Sequence, residues 1–440
     1  MPNQRARAEL SPEDQARFAR YAEAIAFHEG DQWTTRRQRG ETRLTMNYAR
    51  SLVRKVASYV FPEPVTFSAP APGREELGNL AERLLAEAID ANDLARLDVA
   101  LCIDSSVLGD AALKVTWHAV NAKPAVAAVD PATLTARWAP DNPRDLAAIT
   151  QRYSLRGEEI GELFGDVASL SGLNPDQRFP VVEHWTDRRW RVEIAGQTVR
   201  DDVNPYGWIP YVIAPNDPRP HEFWGQSDLL DLFDVCRELN GRMSVLAKVL
   251  ELSGAPIAVL ENVDSSAGIT VGPGAKWELP EGAKAYLLDL LAGGGASLHI
   301  DYINLLYRTL HDLSETPRTA FGDSGRTISG AALEVEIQPL IQKVHRKRAG
   351  WNAVYRARNA RLLDLIERFG GVDLGGLRRT VAIWPSILPS ETDSEVRNAV
   401  QLVESGVISR RTAVARLGGV DPEAEQALVL SERGIFGGGK

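Results

Sequence analysis

Residues 224–253 read WGQSDLLDLFDVCRELNGRMSVLAKVLELS, and the order inside this stretch sets the architecture. Leu229, Leu232, Cys236, Leu239, Met243, Leu246 and Leu250 recur at alternating spacings of three and four. That is a heptad seam, the pattern of a helix that packs along its length against other helices. The spacing predicts a long helix over Gln226–Ser253, with Ser227 as its N-terminal cap and Gly254 as its stop. Packing within one chain and packing between subunits both satisfy such a seam.

Downstream, a second heptad-like helix is expected over Leu298–Leu313, with Ile303, Leu306 and Leu310 on its seam. Between the two helices, residues 255–296 alternate short apolar runs with Gly272-Pro273-Gly274 and Gly293-Gly294-Gly295. Short runs with glycine-rich turns predict a small β-rich insert. Two long helices bracketing it form a stalk with a tip. The stretch from Thr316 to Arg326 is a loop by its proline and glycine content. A very long helix should then run from a cap at Ser329 to Phe369, kinked at Pro339, which lacks a backbone donor.

Upstream, helical spacing is expected over Pro12–Ala26, Asn47–Val60, Glu75–Ala91 and Leu94–Leu108, with a short strand at Val65–Phe67. From Ala111 the period changes to two. Strands are expected at Leu113–Trp117, Ala125–Val129, Leu134–Trp138 and Ala147–Tyr153, and a hairpin at Val181–Thr186 and Trp190–Ile194. A strand near Val381–Ile383 and three short helices, Ser394–Ser405, Arg410–Leu417 and Pro422–Glu432, complete the chain. The fold class is α+β and helix-rich.

Composition removes whole classes of function. Of 440 residues, 44% are hydrophobic and 25% charged, the balance of a folded protein rather than a disordered one. Fifty basic and 59 acidic residues leave a net charge of −9, so nucleic acid must be met by local patches. Nine of the basic residues are lysine and 41 arginine. Two cysteines, Cys102 and Cys236, are too few for a disulfide framework or a four-cysteine zinc site and read as buried thiols. No apolar run is long enough to span a bilayer, and Met1–Gly30 lacks a signal-peptide core; a soluble, intracellular chain is the expectation.

Catalytic motifs are sparse. Gly322-Asp323-Ser324-Gly325 copies the run around the nucleophile of chymotrypsin-like proteases, which makes a serine hydrolase using Ser324 one alternative. That fold is all-β, whereas this loop joins two long helices, so a plain flexible loop is the competing account. The seven histidines show no zinc-ligand spacing, and no phosphate-binding glycine loop occurs, so no cofactor or metal is expected. Asp228, Asp231, Asp234 and Glu238 form an acidic stripe, either a solvated face or one that keeps passing phosphate from sticking. Lys343, Arg346 and Lys347 open a basic run continuing through Arg348, Arg356, Arg358 and Arg361. It suits nucleic acid or an acidic subunit neighbour equally well.

Taken in order, these features resemble the portal proteins, or head-to-tail connectors, of tailed bacteriophages, of the siphophage type. The likeness rests on His28-Glu29-Gly30-Asp31-Gln32-Trp33, on Asn47 ahead of an Arg/Val helix, and on Gly109-Asp110-Ala111-Ala112-Leu113-Lys114-Val115 with Val129-Asp130-Pro131. Its strongest parts are Trp224-Gly225-Gln226-Ser227-Asp228, Asp312-Leu313-Ser314-Glu315-Thr316-Pro317 and Ser329-Gly330-Ala331-Ala332-Leu333. The resemblance implies a wing over 1–220, stem helices over 221–254 and 298–316, and a clip over 255–297. It further implies a tunnel loop over 317–328, a kinked wing helix and strand over 329–389, and crown helices and tail over 390–440.

The implied function is mechanical and not enzymatic. A homo-oligomeric ring, a dodecamer in the virion, would form the double-stranded DNA channel at one capsid vertex, for packaging and ejection. Its implied partners are the large subunit of the terminase motor, major capsid and scaffolding proteins, and a head-completion or adaptor protein, with no membrane. Assembly would take place in the host cytoplasm. Arg318 and Arg326 would face the DNA without reading its sequence, Lys343, Arg346 and Lys347 would be further contacts, and Leu232, Leu239, Met243, Leu246, Ile303, Leu306 and Leu310 would pack the stem. An unrelated helical adaptor is the other alternative.

Overall fold

A computed structural model describes residues 10–164, 174–254, 258–262, 281–287, 295–323, 330–387 and 392–408, with positions 410 and 413. Two compact units emerge. The first comprises 1–21, 54–227 and 340–440, and the second 22–53 and 228–339. Residues 22–53, expected in the wing, therefore pack with the stalk segment. Three helices cross the division, α1 (Pro12–Glu29), α2 (Tyr48–Val60) and α8 (Gly330–Gly370), the last dividing just after Pro339.

The first unit holds α3 (Glu75–Ala91), α4 (Leu94–Leu108) and three sheets. The largest is an antiparallel meander of β4 (Leu134–Ala139), β5 (Asn142–Arg156), β6 (Arg178–Trp185), β7 (Arg189–Ile194) and β8 (Gln197–Val203). Its strands alternate as half-buried strands must. One face buries Val181, Val192 and Ile194 against Ile160 of α5 (Gly157–Phe164). The second sheet has the order β3 (Lys123–Val129), β2 (Asp110–His118), β9 (Tyr211–Pro215). In the third, β1 (Thr66–Ser68) pairs antiparallel with β12 (Val381–Ile383).

Polar cross-links join the two larger sheets. Lys114 on β2 reaches Glu183 on β6 at 2.7 Å, and the Tyr211 hydroxyl donates to Gln151 at 2.7 Å. Trp185 and Tyr153 donate to the same Glu183 carboxylate. Burial works to raise that carboxyl's pKa, but the Lys114 ammonium and these donors outweigh it and hold the group below the usual carboxylate range.

Two expectations need correction. Residues 226–229 are not helical: a 3-10 turn at Leu230–Leu232 precedes α6, which spans Phe233–Gly254. Ser227 is accordingly no cap, and its hydroxyl donates to the Ser106 carbonyl at 3.3 Å. The cause is a tight crossing. Asn216 donates to Gly109, Gln226 donates back to Asn216 at 2.7 Å, and the Gly225 N–H is held by the Asp110 carboxylate at 2.9 Å. A Cβ on Gly109, at φ 101°, would meet the 225–227 backbone at 2.9 Å, so only glycine fits. With their donors and acceptors engaged here, 225–227 cannot join the helix.

The other correction is additive: β8, β9 and α5 were not foreseen, and β5 begins at Asn142 rather than Ala147. Gln197–Val203 carries Arg200, Asp201 and Asp202, the charged dress of an edge strand, which masks its period.

The second unit is built on α6 and α7 (Gly295–Leu313) packed together, with a β10 (Ala258–Glu261) and β11 (Lys284–Leu287) hairpin. Most of the expected β-rich insert lies outside the described residues. So do the helices expected over Arg410–Leu417 and Pro422–Glu432, whereas the one before them forms as α9 (Thr392–Glu404).

Candidate DNA-channel loop and helix pair

The helix α7 ends in a closed hydrogen-bonded stop. Thr316 N–H donates to His311 O at 3.1 Å and Glu315 N–H to Asp312 O at 3.2 Å, the paired bonds of a Schellman cap. Glu315 takes the left-handed position at φ 52°, where glycine is usual. Pro317 then prevents the helix from resuming. The segment Asp312–Pro317 is thus a turn whose residues each do one thing.

His311 fastens this turn. Its Nδ1 lies 2.6 Å from the Thr316 carbonyl, which can only accept, so Nδ1 carries the proton. Nε2 is buried with no hydrogen-bond partner among the described residues. Burial pushes the imidazole pKa down, against the upward pull of the Thr316 bond, and the neutral ring is the working form. Tyr307 meets it edge-on with centroids 4.5 Å apart, and Phe321 closes the other side at 5.7 Å.

Beyond Pro317 a 3-10 turn, Arg318–Phe321, occupies the start of the expected loop and ends at Gly322 in the left-handed conformation. Arg318 is half exposed. It pairs with Asp323 and lies 4.9 Å over the Tyr307 ring. Its charge is thus shared with a neighbouring carboxylate. Arg326 and Ser324 lie outside the described residues.

The heptad seam divides in two. Leu232, Cys236 and Leu239 are buried, and Leu310 on α7 is fully so. Met243, Leu246, Ile303 and Leu306 are half-buried. Other apolar side chains of the two helices stand in solvent, with Leu250 55%, Leu298 71%, Leu305 54% and Leu313 48% exposed. Burial pushes the Cys236 thiol up to about 12, against a weaker pull from an Ala49 backbone bond, so it is an inert core group.

Sequence reading missed what locks α6 in place. Asn240, 1% exposed, accepts from Met46 N–H at 2.7 Å and donates to Gln32 at 2.7 Å. Ser244 accepts from Leu44 N–H at 2.9 Å. Gln32 also donates to Asn47, which donates to the His28 carbonyl at 2.9 Å. These bonds give a physical role to Gln32 and Asn47, both visible in the sequence. The clue was Asn240 and Ser244, polar residues on a helix otherwise reading as apolar seam.

The basic run on α8 is not one surface. Lys347 donates to Ser106 at 3.0 Å and to Asn216. Arg348 donates to the Val60 and Pro385 carbonyls, and Arg358 forms a buried pair with Asp98. Arg361 donates to the Ile209 carbonyl. Arg346 and Arg356 are exposed, and Lys343 is half-buried. Among the described residues no group of three or more metal-ligating side chains occurs, and no helix is long and apolar enough to cross a membrane.

Compared with known families, the chain matches the model described as phage portal protein, SPP1 Gp6-like, over residues 8–260 and 300–434. The unmatched interval, residues 261–299, covers most of the expected β-rich insert and the first residues of α7. No match to the chain was found among curated proteins.

Proposed function

Because the chain belongs to the phage portal proteins of the SPP1 Gp6-like family, a structural family whose homo-oligomeric ring forms the capsid-vertex channel for DNA packaging and ejection, we propose how its parts divide that work. The helices α6 and α7 are the stem, and their exposed apolar side chains carry ring contacts. Residues 255–297 are the clip that receives the large terminase subunit and later a head-completion or adaptor protein. Residues 317–328 are the loop that meets DNA, with Arg318 and Arg326 as contacts that do not read sequence. Lys343 and Arg346 are secondary contacts, while the engaged ammonium of Lys347 gives it a mainly structural part. The ring is a dodecamer, and capsid and scaffolding proteins meet its outside.

The observation that carries the stem assignment is the apolar surface that the two helices leave exposed. Leu250, Leu298 and Leu305 are large apolar side chains, each more than half exposed, on helices that bury Leu239 and Leu310. Burying each against a neighbouring subunit would contribute about 1.5–3 kcal/mol. Introducing Leu250→Asp together with Leu305→Asp leaves these buried side chains untouched. In analytical ultracentrifugation the variant should sediment as a monomer with unchanged circular dichroism. Rings of wild-type size would overturn the assignment.

A further inference from the structure

The face of the five-stranded sheet opposite the Val181–Val192–Ile194 core is basic, with Arg137, Arg178, Arg189 and Arg191 exposed on it. Register puts Thr135, Thr150, His184 and Arg191 in one cross-strand row running from β4 to β7. Arg137 and Arg189 stand on one side of that row and Arg152 on the other, with Arg178 further along. Adjacent strands are about 4.8 Å apart and same-face neighbours about 6.7 Å, so Arg137, Arg152 and Arg178 mark a stripe that runs about 27 Å along the sheet.

Two of the arginines are neutralised, Arg189 by Asp201 at 2.9 Å and Arg191 by Glu193 at 2.7 Å. Arg137, Arg152 and Arg178 have no carboxylate partner among the described residues. Arg152 bonds the Thr135 hydroxyl and Arg178 the Ser154 carbonyl. His184 lies among these charges: burial lowers its pKa first, Arg137, Arg191 and Arg152 lower it further, and Glu193 opposes them. In a chain of net charge −9, such a surplus is a local feature.

We propose that this sheet face binds the phosphate backbone of double-stranded DNA, without sequence preference, at a site separate from the channel loop. Its chemistry selects this occupant over an acidic protein. Protein interfaces draw their energy from buried aromatic and aliphatic anchors, and the face offers Val182, Pro180 and, on the edge strand, Val203. Arginines interleaved with threonine hydroxyls are the donors that phosphate oxygens take. The site needs neither a ring nor a channel, so its failure leaves the stem assignment untouched.

The probe is a covalently closed circular plasmid, which has no end to thread through a channel. Its binding to the full chain should weaken with salt. The Arg137→Ala/Arg152→Ala/Arg178→Ala variant should bind roughly tenfold or more weakly, with the log–log salt slope shallower by about 2 to 3. The corresponding triple lysine variant keeps the charge and should keep the slope. Arg137→Glu alone, at an exposed position, should also weaken binding while preserving the melting temperature. Wild-type affinity and slope in the alanine and Arg137→Glu variants would overturn the proposal. So would a polyglutamate peptide of matched charge that outcompetes the plasmid.

Discussion

Arginine serves two opposite ends within the first unit. On α8, Arg348 and Arg358 are 7% and 0% exposed and act as cross-links. Arg358 holds Asp98 through both carboxylate oxygens at 2.8 and 3.0 Å and lies 4.7 Å over the Tyr355 ring. Burial alone lowers the Arg361 pKa to about 10. On the meander sheet, Arg137 stands exposed, and among the described residues Arg152 and Arg178 meet a hydroxyl and a carbonyl but no carboxylate. The same side chain is structural where backbone carbonyls and a buried acid surround it, and available where hydroxyls do. A run of positive charge in a sequence does not say which case applies; the partners do.

The comparison breaks first at Arg358. Replacing it with alanine strands the Asp98 carboxylate in the core, and loss of one partner of a buried pair costs about 3–5 kcal/mol. Urea denaturation should show that loss, and Arg358→Met with Asp98→Leu should recover most of it. A change below about 1 kcal/mol in the single variant would mean the pair is solvated. Arg348→Ala removes charged donors from three backbone carbonyls, those of Tyr59, Val60 and Pro385, and should cost about 2 kcal/mol by the same measurement.

The buried face of the sheet supplies a test in pH. Glu183 has a folded pKa below its unfolded value. Its contribution is therefore present above about pH 4.3 and is lost as pH falls through the folded value. Lys114→Met removes the charge that opposes burial, so the folded pKa rises toward or past the unfolded value, and the acid-side loss in melting temperature should shrink or reverse. An unchanged acid limb would show that Lys114 does not govern the group.

The smallest effects belong to the exposed arginines. Arg137→Ala with Arg152→Ala should alter stability by no more than about 0.5 kcal/mol per site. Without those two cations the His184 pKa should rise, which an NMR titration of the imidazole would detect. A marked loss of stability would place these arginines with those of α8.

Much of this division was legible in the sequence, and the misses have physical causes. Glu75–Ala91 and Leu94–Leu108 emerge with the expected bounds because their apolar period and their Gly109 stop agree. On α8, Val344, Trp351, Tyr355 and Leu362 form an inward stripe, and Arg348 and Arg358 fall on its period; charge hid that placement. The basic sheet face escaped notice because its arginines come from four strands and meet only through register. The start of α6 was read too early because Trp224–Ser227 is fixed by residues far away in sequence, through Gly109, Asp110 and Asn216. The turn after α7 carried a loop signature, but its Glu315 in a glycine conformation and its His311 bond are matters of three-dimensional geometry.

Negative-stain electron microscopy of the purified wild-type protein tests the assembly claim most directly. Class averages should show rings with a central hole, the stem helices supplying the inter-subunit contacts. A homogeneous population of monomers or dimers at micromolar concentration, with no annular particles, would contradict it.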